Sequence, residues 1–351
     1  MTKGFCPVQG TWIIPVRTAW GLDKNQRLSP SLQRKLCYTA AETGSFEKAS
    51  ALVAQWGCSI SDDAIRSCTL RCGQKGIEQP LSTPRPERAG KDDVLIIMMD
   101  GWMARHRGKG WGFKNLVEGY DRVNWHEIKS AVIFRLKDQA SLSPKRGALI
   151  SKHVVATPAQ TDPITFGQRV HHEACRMGLA QAKKVYVVMD GATWLWNVFE
   201  DRFSSLATGT LDFYHASEHL HALGNELFGQ STDESRNWCQ ELLHTLKHSS
   251  SDNLFATLAD LIARPPNTEP ETIEAIRQAR AYFEKHKEHM NYAGADAQGL
   301  PLGSGSMESQ CSQFQGRFKR CGQFWTKNGF ATLLEVAVRQ QNGELRSLWA
   351  A

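Results

Sequence analysis

Apolar positions fall into three successive patterns along this chain. From residue 29 to 76 their spacing is helical. Ser29-Pro-Ser opens a helix that runs through Leu36 and Ala40 to Thr43-Gly44. Ser45 stands where an N-cap is wanted, and Phe46, Ala49, Leu52 and Val53 follow on one helical face. Trp56-Gly57-Cys58 breaks that helix. Ser61 then caps a third, with Asp62 and Asp63 in its first turn. Helix, glycine turn, helix is the outline of a helix-turn-helix and equally of a small bundle. Residues 77–93, with Pro80, Pro84, Pro86 and Gly90, read as a linker.

At Val94 the period changes. Val94–Met99 is short and wholly apolar, as a strand buried on both faces should be. Ile128–Leu136 and residues 147–156 are further strand candidates, Phe166–Ala182 has helical spacing, and Val185–Met189 is a second buried strand. Strand, strand, strand, helix, strand is the order of a ribonuclease H-like fold, although other α/β folds begin the same way. Beyond Asp212 the pattern is helical to about Met290, punctuated by Pro265-Pro266 and Pro270. Asn291–Ser306 is a glycine-rich loop. A last helical region runs from about Met307 to Gln341, interrupted near Gly322.

Composition narrows the classes. The 351 residues, 41% hydrophobic and 22% charged, suit a globular chain of about two domains. No apolar run approaches the roughly 20 residues of a membrane-spanning helix, and no apolar stretch of a secretory signal follows Met1. A net charge of +6 permits nucleic-acid binding without requiring it. The nine cysteines are an odd number and form no Cys-x-x-Cys pair, which argues against a disulfide framework or a zinc ribbon. Cys68 and Cys72, one helical turn apart, read as packing thiols in a protein of the reducing cytosol.

Two aspartates share one setting. Asp100 ends Leu-Ile-Ile-Met-Met and precedes Gly101; Asp190 ends Tyr-Val-Val-Met and precedes Gly191. An acid at the end of a buried strand is a frequent active-site placement in α/β sheets. Asp-Gly is also an ordinary turn, so it is the pair that favours function. A third acid, Glu308, falls in the first turn of a helix after Gly303-Ser-Gly-Ser. Alone it would be a favourable charge at a helix N-terminus. Together the three fit the carboxylate set of two-metal phosphoryl chemistry, with hard oxygen ligands for Mg²⁺ or Mn²⁺. His215-Ala-Ser-Glu218-His219 competes as an inverted zinc-protease signature, with Glu284 or Glu288 as a further ligand, but it leaves the three acids unexplained. Basic residues interleaved with aromatics follow the first acid (Arg105, Arg107, Lys109, Lys114) and the third (Arg317, Lys319, Arg320, Trp325), and could neutralise phosphates or stack on bases.

The blocks Met99-Asp100-Gly101, Asp190-Gly-Ala-Thr-Trp194, Leu211-Asp212-Phe-Tyr-His215, Gly303-Ser-Gly-Ser-Met-Glu308-Ser309 and Arg317-Phe-Lys319-Arg-Cys-Gly322-Gln-Phe-Trp325 resemble, in order, the signature of Kra-type DDE transposases, insertion-sequence enzymes related to the Mutator-like group. The resemblance covers about residues 30–345. It implies a ribonuclease H-like catalytic domain in which Asp100, Asp190 and Glu308 hold Mg²⁺, replaceable by Mn²⁺, for cleavage at transposon ends and attack of the freed 3′-hydroxyl on target DNA. Asp212 and His215 would support that site. The implied divisions are an N-terminal arm over 1–28, a helical DNA-binding segment over 29–76, a linker over 77–93, the first part of the core over 94–212, an all-helical insertion over 213–300, and the glutamate helix with its successors over 301–351. Double-stranded DNA, a homo-oligomer of at least two copies at paired ends, and a cytoplasmic, nucleoid-associated bacterial setting are implied with them. Relatives carry a longer, cysteine-rich, zinc-binding N-terminal region where this chain has only Cys6-Pro7. An inactive or repurposed transposase-derived DNA-binding protein is the alternative.

Overall fold

The computed structural model describes residues 3–8, 10–19, 28–79, 93–143, 146–267 and 269–349. The prolines at 80, 84 and 86 of the expected linker lie outside them. A short hairpin, β1 (Gly4–Cys6) and β2 (Thr11–Ile13), and a single-turn helix α1 (Pro15–Ala19) come first. Helices α2 (Pro30–Glu42), α3 (Phe46–Gln55) and α4 (Asp62–Glu78) follow. Each is capped as its sequence dictates: Ser29, Ser45 and Ser61 accept the backbone N–H groups of Leu32, Lys48 and Ala64.

The central sheet is built from β3 (Val94–Arg107), β4 (Val123–Arg135), β7 (His153–Ala156), β8 (Lys184–Met189) and β9 (Thr208–Leu211), in the order β7-β4-β3-β8-β9. β4 is antiparallel to both β7 and β3, whereas β3, β8 and β9 run parallel. β5 (Gln139–Ser143) and β6 (Arg146–Leu149) form a separate hairpin. The single strand expected over 147–156 is therefore two, one in this hairpin and one at the sheet edge. Helix α5 (Pro163–Arg176) stops short of Ala182 because Gly178 takes a left-handed conformation, φ 92°. Helix α6 (Thr193–Arg202) and β9 lie between the second acid and Asp212, where the hydrophobic pattern had suggested neither.

Alternation along the two buried strands separates two apolar clusters. Leu95, Ile97, Met99, Val185, Val187 and Met189 face one, with α5, α6, α7 (Phe213–Phe228), α8 (Asp233–His248), α9 (Asp252–Ala263) and α10 (Pro270–Lys285). Ile96, Met98, Trp102, Tyr186 and Val188 face the other. There they meet α2–α4 and, after the short α11 (Tyr292–Asp296), α12 (Gly305–Phe318) and α13 (Lys327–Gln341). The N-terminal helices thus share one core with the sheet. α4 lies so close to α13 that a Cβ on Gly73 would meet the Thr332 backbone at 2.0 Å, so α4 is a core element of a bundle. β3 outruns the expected Val94–Met99 because beyond Asp100 it needs cover on one face only. Trp102, Ala104 and His106 are buried while Met103 and Arg107 are exposed.

Candidate active site

Register places the first two acids. The last paired positions of the parallel strands β3 and β8 are Met99 and Met189, so Asp100 and Asp190 follow side by side. Asp100 continues the alternation toward α12, where the Cys311 thiol lies 3.8 Å from its Oδ2. Its Oδ1 accepts the Gly101 N–H at 2.6 Å. Asp190 Oδ1 accepts the Ala192 N–H at 2.7 Å, and its carbonyl accepts the Trp196 indole N–H. Burial pushes the Asp100 carboxyl up to about 6; the Gly101 N–H opposes this and the charge of Asp190 adds to it. Burial, with the Asp100 and Glu308 charges, likewise raises the Cys311 thiol.

This shift has a stability consequence. The unfolded carboxyl titrates near 3.8 and the folded one near 6. Between those values the folded state binds more protons, so stability falls as pH rises through the window and the cost is complete above it. Asp100→Asn should therefore stabilise the metal-free chain at pH 7.5 by about 1–3 kcal/mol, with the gain vanishing at pH 4. Urea titrations in chelator at both pH values check this; equal stabilities at pH 7.5 would contradict it.

Asp212 is fully buried and ties three elements together. It caps α7, its Oδ1 accepting the Tyr214 and His215 N–H groups at 2.7 and 3.3 Å. Its Oδ2 accepts both the backbone N–H of Ser304, at 2.7 Å, and the Ser304 hydroxyl. Its own N–H donates to the Met189 carbonyl, and the next N–H, of Phe213, to the Leu302 carbonyl. The end of β8, the start of α7 and the entry to α12 are thereby fixed to one another. The loop passes close to the Tyr214 side chain, whose ring would lie 2.4 Å from a Cβ at Gly303. Glu308, exposed in the first turn of α12, is delivered by this clamp, one turn before Cys311. The three carboxylates do not all approach within 4.8 Å of one another.

The helices between the second and third acids also reach the site. Tyr282 of α10 packs over Gly191, where a Cβ would lie 2.5 Å from its ring. Burial, with the charges of Asp190, Asp212 and Glu218, raises its phenol. The His219 ring stacks on Tyr282 with centroids 3.6 Å apart. His215 Nε2 is 4.0 Å from Asp190 Oδ2 and its Nδ1 is 3.5 Å from Glu218. Among the described residues, neither histidine belongs to a set of three ligand atoms within 4.8 Å, whether Glu284 and Glu288 are considered or not. The motif's histidines therefore have no three-ligand set assembled around them.

The basic positions divide. Arg107, Lys109, Lys114 and Arg320 are exposed; Arg105 and Lys319 are half-buried. Arg105 donates to the Lys319 and Arg320 carbonyls, and it and Lys319 lie over the ring of Trp125, at 5.8 and 5.4 Å. Trp125, opposite Arg105 on β4 and 50% exposed, was not singled out in the sequence because it stands far from the motifs that carry the acids. Arg317 is a correction. It is 6% exposed, donates to the Ala40 carbonyl and lies among Phe46, Phe318 and Trp325, so its cation faces the interior and not phosphate. Burial, followed by Arg320, lowers its pKa to about 10. Trp325 is half-buried too: its indole donates to Phe318, and its backbone pairs with Arg105 and Arg107 as a short extension beside β3.

No protein-family model matches the chain. It is similar to a UPF0236 protein encoded in the vanSb 3′ region of Streptococcus gallolyticus, with 24% identity over 335 residues that span 94% of this chain and 67% of that protein. Among solved structures it aligns with the Drosophila P element transposase strand transfer complex over 95% of this chain and 82% of the other. Identity there is 11% and the TM-score is 0.29, too low a score for the superposition to carry an argument. No described helix is long and apolar enough to cross a membrane.

Proposed function

We propose that the chain is a DDE transposase, cutting DNA at the ends of an insertion sequence and joining the freed 3′-hydroxyl to target DNA. The observation that carries this reading is that Asp100 and Asp190 follow the last paired residues of adjacent parallel strands, with Glu308 in the first turn of α12, the helix whose entry is tied to the same strand end through Asp212. The sheet order, with two antiparallel steps followed by two parallel ones, supports a ribonuclease H-like core. Helices α7–α10, lying between the second and third acids, suit the expected insertion.

The donor set fits a hard divalent cation. All three groups offer carboxylate oxygen, and burial, with the charge of Asp190 beside it, disfavours Asp100 as a lone anion. Asp100, Asp190 and Glu308 would hold Mg²⁺, or Mn²⁺ in its place. When bound, such ions supply an activated oxygen nucleophile and stabilise the leaving oxygen. In the first step water adds to phosphorus and the P–O3′ bond breaks; in the second the 3′-oxygen adds to a target phosphorus and expels that strand's 3′-oxygen. The chain's own part is to hold the carboxylates at the strand ends and to present a cationic, aromatic face along β3 and β4. At paired ends at least two copies would act together on the duplex.

Lys109→Ala with Lys114→Ala should lower the slope of log K against log salt by about 1.8, roughly 0.9 for each phosphate that is no longer neutralised. A fluorescence titration over a salt series reads this, and an unchanged slope removes those lysines from the interface. The function itself is tested with DNA carrying the sequence that flanks the gene, in Mg²⁺ or Mn²⁺. Cutting at a flank boundary is expected. Binding without cutting would instead mark a non-catalytic DNA-binding protein.

A further inference from the structure

Away from the acids, three thiols converge. Cys37 of α2 and Cys68 and Cys72 of α4 have all three Sγ atoms within 4.8 Å of one another. They are 0%, 1% and 5% exposed. All nine cysteines of the chain are free thiols. The spacing of Cys68 and Cys72 places both on one helix face, and Cys37 reaches them because α2 packs on α4. Gln33, one turn before Cys37, is also buried, and its Oε1 lies 3.7 Å from Cys72 Sγ. The Gln33 amide nitrogen donates to the Leu28 carbonyl at 2.8 Å, which turns the oxygen toward the sulfurs. The Trp349 indole N–H donates to the same oxygen at 3.2 Å.

We propose that Cys37, Cys68 and Cys72 form a structural zinc site, held by their three thiolates. Zinc–sulfur bonds of about 2.3 Å in a tetrahedron place sulfurs about 3.8 Å apart. That separation lies inside the 4.8 Å within which these three sulfurs are gathered. Binding exchanges three S–H bonds for three Zn–S bonds and releases three protons, with no change of oxidation state. Three thiolates and Zn²⁺ carry one net negative charge, and the Arg71 guanidinium beside Cys68 supplies its counterpart. A monovalent soft cation would leave two negative charges buried, and Mg²⁺ prefers oxygen. The site would fasten α2 to α4 and so stiffen the helices that pack on α13. Because it is sealed from solvent, the metal enters as the chain folds. The absence of a Cys-x-x-Cys pair had hidden it, since one ligand comes from a separate helix. The proposal does not depend on the phosphoryl-transfer reading.

The test is zinc content and cobalt spectroscopy on the full chain. After expression with zinc and dialysis into metal-free buffer, about one equivalent per chain is expected by mass spectrometry. Cys68→Ser and Cys72→Ser should lose it, while Asp190→Asn and His219→Ala retain it. Wild-type protein refolded with Co²⁺ should show thiolate-to-cobalt charge transfer and the visible bands of a tetrahedral site, which needs no variant to fold. A folded, zinc-free wild type that gives no such bands with Co²⁺ overturns the proposal and leaves the thiols as packing. Zinc that survives Cys68→Ser but leaves with His219→Ala overturns it as well.

Discussion

Asp190→Asn is expected to leave a folded chain that binds DNA and no longer cuts it. The asparagine keeps the Oδ1 that accepts the Ala192 N–H, and the Asp190 carbonyl still holds the Trp196 indole, so the strand end keeps its shape. What changes is the oxygen beside His215, replaced by an amide nitrogen whose hydrogens repel a cation. Cleavage should fall by about 10³-fold or more, ~4 kcal/mol of transition-state stabilisation. Gel assays of nicking and of binding on the same DNA read the two effects separately. Nicking within tenfold of wild type would remove Asp190 from the chemistry.

Asp212→Ala should produce the largest loss of stability. Four donors converge on this buried carboxylate, and alanine leaves the Ser304 hydroxyl and three backbone N–H groups without their acceptor. Removing one partner of such a buried charged group costs about 3–5 kcal/mol. Asparagine is no remedy, because its NH₂ would face donors on one side. Urea unfolding reads the cost, and a change below about 0.5 kcal/mol would contradict the clamp. Activity should fall with it, since α12 and Glu308 lose their anchor to the strand ends.

Much of this was legible from residue pattern. The caps at Ser29, Ser45 and Ser61 and the wholly apolar runs ending at Asp100 and Asp190 each have a local cause, and the structure has the corresponding helices and strands. β9 was missed because Thr208–Leu211 is only four residues and carries a glycine. Asp212 could be read as a helix cap, but its bonds to Ser304 cross 92 positions and leave no periodic trace. Arg317 failed for a related reason. A charge run on a helix reads as solvated, and only packing shows that one member turns inward beneath Phe46 and Trp325. The same limit hid Trp125, Tyr282 and the union of Cys37 with Cys68 and Cys72.

The central claim, that Asp100, Asp190 and Glu308 share a cation, is most directly tested by iron-directed self-cleavage. Fe²⁺ with ascorbate and peroxide generates hydroxyl radicals at the bound ion, and the cut fragments are mapped by mass spectrometry without any knowledge of the DNA ends. The account predicts cuts beside residues 100, 190 and 308, suppressed by excess Mg²⁺ and absent in Asp190→Asn. Cuts elsewhere alone, or cuts that persist unchanged in Asp190→Asn, would contradict it.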